Sequence, residues 1–94
     1  MNLHLVFTSP NNSSALRDCL NNFQEQDGLI LLEDGVLAIT NFAQQSLPLN
    51  NKTCFALESD LKARGIEHLC PLPIISYDDF VELTVKYNKT ISWR

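Results

Sequence analysis

Basic charge is scarce and scattered in this chain. Its 7 lysines and arginines stand against 11 aspartates and glutamates, for a formal net charge of −4. Arg17, Lys52, Lys62, Arg64, Lys86, Lys89 and Arg94 form no cluster, so the chain is not expected to bind tRNA or DNA directly. Long apolar runs are also missing. The longest, "LILL" at Leu29–Leu32, is far too short to span a bilayer. The opening "MNLHLVFTSPNN" has neither the basic lead nor the apolar stretch of a secretory signal. A cytoplasmic protein is expected, which leaves "NNS", "NSS" and the two "NKT" triplets without meaning as glycosylation acceptors. The "NKT" triplets read instead as turns ahead of strands.

Cysteine and histidine are thin too. Three cysteines, Cys19, Cys54 and Cys70, are widely spaced with no CxxC, which argues against a disulfide framework or a structural zinc. His4, at the start of a strand, and His68, in a loop, read as structural or surface residues rather than ligands. Only 3 glycines and 4 prolines, with 45% hydrophobic and 19% charged residues, argue for a folded chain rather than a disordered one. Ninety-four residues make one domain, 1–94, with a modest core.

What is present alternates between two periods. "LHLVF" (3–7) is apolar and β-prone, and "TSPNN" punctuates its end. A helix is expected over about 13–26. "GLILL" (28–32) is a continuous apolar run, the pattern of a strand buried on both faces. Residues 36–45 show helical spacing, with Val36, Ala38, Ile39, Phe42 and Ala43 apolar, and "PLNN" closes them. "TCFALE" (53–58) reads as the third strand. A short helix "DLKARG" follows, with Ser59 as its expected cap and Gly65 at its exit. "PIISY" is a short fourth strand. Ser76 and Asp79 fit a capping box for a helix over 78–87, and "TISW" is the final strand.

Strands alternating with helices predict an α/β fold: a small, mostly parallel sheet of about five strands flanked by helices, in flavodoxin-like layers. So few helices cannot cover both faces of such a sheet generously, and a further subunit is expected to complete the cover. In open sheets of this kind, chemistry gathers beyond the carboxyl ends of the strands. Those ends carry "TSP", "EDG", "ESD" and "YDD" but no glycine-rich phosphate loop. "SPNNSS" reads as a loop and cap before it reads as an anion site. Glu33, Asp34, Glu58, Asp60, Asp78 and Asp79 read as caps and solvated loop residues before they read as a metal site. No metal and no cofactor is expected.

Four segments together resemble the TusB/DsrH family of sulfur-relay proteins: "LHLVFTSP", "GLILLEDGVLAI", "ALESDLKARGI" and "YDDFVELTVKYNKTISW". They span most of the chain in the family's order. The resemblance implies the DsrE-like α/β fold. It also implies assembly with TusC/DsrF-like and TusD/DsrE-like subunits into a dimer of heterotrimers. Such a complex passes persulfide sulfur from a TusA-like donor to a TusE-like acceptor, for 2-thiolation of the tRNA wobble uridine. The DsrH-type alternative serves sulfur oxidation. In both, the principal sulfur-carrying cysteine belongs to the TusD/DsrE-type subunit, so this chain is expected to be an accessory subunit rather than an enzyme alone.

Cys19, in "SALRDCL", carries the site question. Some DsrH-like members have a cysteine at this place in the first helix, and many TusB-like members lack it. By its own neighbours Cys19 reads as packing. It falls inside the apolar arc with Ala15, Leu16, Leu20 and Phe23, at mid-helix and with no cation beside it, so nothing local lowers its pKa. The resemblance makes it a candidate auxiliary persulfide site, with any activating charge coming from another segment or a partner. A stand-alone sulfurtransferase using Cys19 and a small anion-binding module are the competing readings. Cys54, in a buried strand, reads as structural, and Cys70, in "HLCPLP", as a loop residue without an assigned role.

Overall fold

A computed structural model describes residues 1–41 and 53–94. Five strands form one sheet: β1 (Asn2–Val6), β2 (Gly28–Leu31), β3 (Thr53–Leu57), β4 (Ile74–Ile75) and β5 (Lys89–Trp93), in the order β4-β3-β2-β1-β5. Every pairing is parallel. Among the described residues three α-helices accompany them: α1 (Ala15–Asn21), α2 (Glu58–Ala63) and α3 (Tyr77–Lys86). A 3₁₀ helix covers Glu33–Asn41 and a second covers Glu67–Leu69. No helix among the described residues is long and apolar enough to cross a membrane.

The side-chain alternation along β1 and its neighbours builds two cores. On one face Val6, Leu29, Leu31, Cys54 and Ala56 meet Leu16 and Cys19 of α1, Val36 and Ile39 of the first 3₁₀ helix, and Leu61 of α2. On the other face Leu3, Leu5, Ile30, Leu57 and Ile75 meet Phe80 and Leu83 of α3, with Tyr87 just beyond its end. β2 is buried at every position, as its unbroken apolar run predicts, because it lies mid-sheet between two covered faces. The connection leaving β3 returns over the α1 face, and the one leaving β4 returns over the other. The carboxyl ends of β3 and β4 are therefore where the connections diverge.

Several boundaries differ from the sequence reading. The first helix is half the expected length: it stops at Asn21, where Asn21 and Asn22 favour turn geometry, and the Asp27 carboxylate accepts the Gln24 N–H to shape the loop. The helical segment expected over 36–45 begins earlier, at Glu33, and winds as 3₁₀; β-branched Val36, Ile39 and Thr40 disfavour the α form. Its part beyond residue 41, with "PLNN", lies outside the described residues. Ser59 is not the cap of α2. The helix starts at Glu58 with Leu57 at the N-cap, and no side chain caps it. Gly65 does leave that helix in the left-handed region, at φ 64°. The strand expected in "PIISY" shrinks to two residues, because Pro73 and the Ser76 cap bracket it. That cap is the expected capping box, with Asp79 N–H donating to Ser76 Oγ at 3.2 Å.

Gly35 has a steric reason to be glycine. It crosses the end of β1 so closely that a Cβ there would collide with the Val6 carbonyl oxygen, which already accepts from Leu32 N–H at 3.1 Å.

Candidate functional site at Cys19 and His4

Cys19 lies on the inward side of α1 with no exposed surface. Burial drives its thiol upward, and the neighbouring Cys54 and the Asp27 carboxylate add to the effect, so that its pKa stands at about 12. The helix supplies no cation to oppose this. Arg17 is on its exposed side. Cys54 is buried in β3, and Cys70 is half-buried with its Sγ directed at the Leu72 carbonyl, 3.5 Å away. None of the three is in a disulfide.

On the same face lies a polar group that the sequence reading did not single out. His4 alternates with Leu3 and Leu5 along β1, so it points to the α1 side, where it is 1% exposed. Its Nε2 is 2.8 Å from Asp27 Oδ2, and its Nδ1 is 3.0 Å from the indole Nε1 of Trp93. An indole N–H can only donate, so Nδ1 must accept and carry no proton. Nε2 then carries the proton and donates it to Asp27. The imidazole is held in one orientation between a carboxylate and an indole. The rings of Phe23 and Trp93 flank it, with centroids 5.3 and 6.1 Å away.

Asp27 completes the group. It is 3% exposed and also accepts from Asn2 N–H at 2.8 Å and Gln24 N–H at 3.0 Å. Burial alone would raise its carboxyl. The hydrogen bonds from His4, Asn2 and Gln24 outweigh burial and hold it below the usual carboxylate range. Cys19, His4 and Asp27 carry the side-chain types of a cysteine–histidine–carboxylate nucleophilic site, but they are not connected as one. A base must offer a free nitrogen to the thiol, and both nitrogens of His4 are committed elsewhere. The group ties β1, the loop before β2, and β5 together.

The carboxyl-end loops are likewise engaged with one another. Arg64 reaches Asp34 Oδ1 through Nη2 at 2.7 Å and Nε at 3.1 Å. Asp60 accepts the Glu33 N–H at 2.7 Å, where Glu33 sits at φ 51°. Asp79 belongs to the capping box. Among the described residues no three His, Cys, Asp or Glu side chains converge as a metal site would need. In "SPNNSS", Ser13 and Ser9 hydroxyls accept from the Ala15 and Asn11 amides, so loop side chains already satisfy these donors. His68 is exposed in the short 3₁₀ turn.

A signal for the His4 group was present in the sequence. A histidine inside an otherwise apolar strand must be paired if it faces inward, and Asp27, directly ahead of β2, is the acid that the neighbouring parallel strand brings within its reach. The contribution of Trp93, from the far end of the chain, has no local signature.

Comparison with known proteins adds to this geometry. The family model described as DsrH like protein matches residues 8–90. The chain is 46% identical over 74 residues to Protein TusB of Sodalis glossinidius (strain morsitans), which covers 74% of this chain and 78% of that relative. It is 38% identical over 97 aligned residues to Protein TusB of Escherichia coli O81 (strain ED1a), covering 97% of this chain and 99% of that relative. The solution structure of protein Tm0979 from Thermotoga maritima shares the fold, with a TM-score of 0.71 at 24% identity, over 92% of this chain and 93% of that one.

Proposed function

The chain belongs to the TusB/DsrH family of sulfur-relay proteins, and from that premise we propose that it is an accessory subunit of a TusBCD-type relay complex. Its partners in this reading are a TusC/DsrF-like and a TusD/DsrE-like subunit. The complex takes persulfide sulfur from a TusA-like donor and hands it to a TusE-like acceptor, for 2-thiolation of the tRNA wobble uridine. Three cysteines outside any disulfide suit a reducing cytoplasm.

The observation that carries the accessory role is the state of Cys19. A sulfur carrier needs a thiolate that a donor can reach. Here the thiol is fully buried, its pKa is pushed to about 12, and the nearby imidazole has no nitrogen to spare. Sulfur could reach Cys19 only if α1 moved off β1 and β5, against which it packs. Cys19 is therefore at most an auxiliary persulfide site, working inside the assembled complex, and the principal sulfur passes through the partner's cysteine.

The test is reconstitution with both partners, donor and acceptor, followed by mass spectrometry of each chain after persulfide loading. The expected result is no sulfur on the isolated chain, transfer by the complete complex, and little or no loss of transfer with Cys19→Ser. Rapid stoichiometric loading of Cys19 in the isolated chain would make this protein a sulfurtransferase in its own right.

A further inference from the structure

The helix α3 borders two surface features, a ridge and a groove. Phe80 and Leu83, with Tyr87 beyond the helix end, face the sheet. On the outer side Tyr77, Val81 and Val85, spaced by four, line up as one ridge and are 65%, 43% and 80% exposed. The Tyr77 ring stands edge-on against Phe80, 5.8 Å between centroids, which fixes the head of the ridge. Asp78 and Glu82 follow Tyr77 and Val81 by one residue and form its acidic border.

Round the helix from that border lies a groove of about 310 Å³ between α3 and the β3–β4 side of the sheet. Phe55, Ile75 and Leu83 make its apolar floor, and Asp79, Glu82 and Lys86 stand at its rim. An apolar floor with a net acidic rim suits one kind of side chain: a long aliphatic stem that ends in a cation. Glu82 belongs to both features, so a single partner surface would engage them together.

We propose that α3 is the docking helix for a different protein chain, which covers the Tyr77–Val81–Val85 ridge with apolar side chains and lays an arginine or lysine into the groove against Glu82 and Asp79. The partner is a different chain rather than a second copy because of charge. A two-fold contact through the ridge would bring the acidic borders of two copies, Asp78 and Glu82 on each, to one interface between two chains each of net charge −4. The proposal rests on the subunit reading above and names the surface that reading requires.

The experiment uses the complex formed with the TusC-like and TusD-like partners. Val85→Glu and Glu82→Lys are compared with wild type and with Arg17→Glu, an exposed substitution on the far face of the molecule. Circular dichroism and unfolding midpoints check that each isolated variant is folded. Val85→Glu and Glu82→Lys should each weaken association by about tenfold or more. The deficit of Glu82→Lys should shrink as salt rises, and Arg17→Glu should bind as wild type does. Wild-type-like association of both α3 variants would overturn the proposal and leave the subunit reading standing. Failure of the wild-type chain itself to join the partners would remove that reading, and the proposal with it. A dimer of the isolated chain that Val85→Glu dissociates would assign the ridge to a second copy and equally overturn the proposal.

Discussion

Replacing Asp27 with alanine would strand three donors at once: the Asn2 N–H, the Gln24 N–H and the His4 Nε2–H. A buried donor left without a partner costs about 1–3 kcal/mol. His4, at 1% exposure, cannot recover a partner from solvent and bears that cost in full. The Asn2 and Gln24 amides lie nearer the surface and recover part of theirs. The expected loss for Asp27→Ala is about 3–5 kcal/mol, a large share of the ~5–15 kcal/mol that holds a domain of this size. Asp27→Asn should cost about 2 kcal/mol, because its amide NH₂ must confront a donor in either orientation. Turning the His4 tautomer over offers no escape: Nδ1–H would then meet the Trp93 indole N–H. Acid should bring out the same group. A carboxyl whose folded pKa is depressed contributes stability that is present above its unfolded pKa of about 4 and is lost as pH falls through the folded value. Wild type should therefore lose stability on the acid side below about pH 4, and Asp27→Asn should show a flatter profile there. Urea unfolding, followed by far-UV circular dichroism and by the emission of the single tryptophan, measures both effects. Asp27→Ala within about 0.5 kcal/mol of wild type, or parallel acid profiles, would refute the hydrogen-bond accounting.

Near neutral pH a thiol probe should modify Cys70 first, and reach Cys19 and Cys54 only on unfolding; labelling followed by peptide mapping reads the order. Cys19→Ser should fold and lose about 1–3 kcal/mol in urea, because a hydroxyl replaces a thiol in an apolar site. Gly35→Ala should cost about 2 kcal/mol or more, since the Val6 backbone must move, and a thermal melt would detect it. The isolated chain should show no salt-sensitive binding to tRNA in a shift assay, given its net charge of −4.

The parts of the fold legible in the sequence were those written locally. "GLILL" declared a doubly buried strand because nothing polar interrupts it, and Ser76 with Asp79 declared a helix start because both halves of the box sit three residues apart. The inward place of Cys19 followed from its position among Ala15, Leu16 and Phe23. The end of α1 was missed because what stops it is partly tertiary: Asp27, bound to His4 and Asn2, also holds the Gln24 amide. The α2 cap was misplaced because a serine beside a helix start resembles a cap whether or not it bonds. The His4 group joins residues from three separated segments, and no local pattern encodes its third member, Trp93.

The pairing of β1 with β5 has a consequence for how the molecule comes to be made. His4 and Trp93 are separated by 89 residues, and their strands lie side by side in register. Contacts so distant in sequence must be closed against loop entropy before they return any stability, so this step is slow compared with the joining of β1 to β2. During synthesis β1 has a neighbour on only one side until residues 89–93 have been added. Through that interval one edge of β1 is an open template for other strands, and His4 lacks the donor that fixes its ring. Truncations or stalls upstream of Lys89 should therefore yield aggregation-prone chains rather than smaller stable domains.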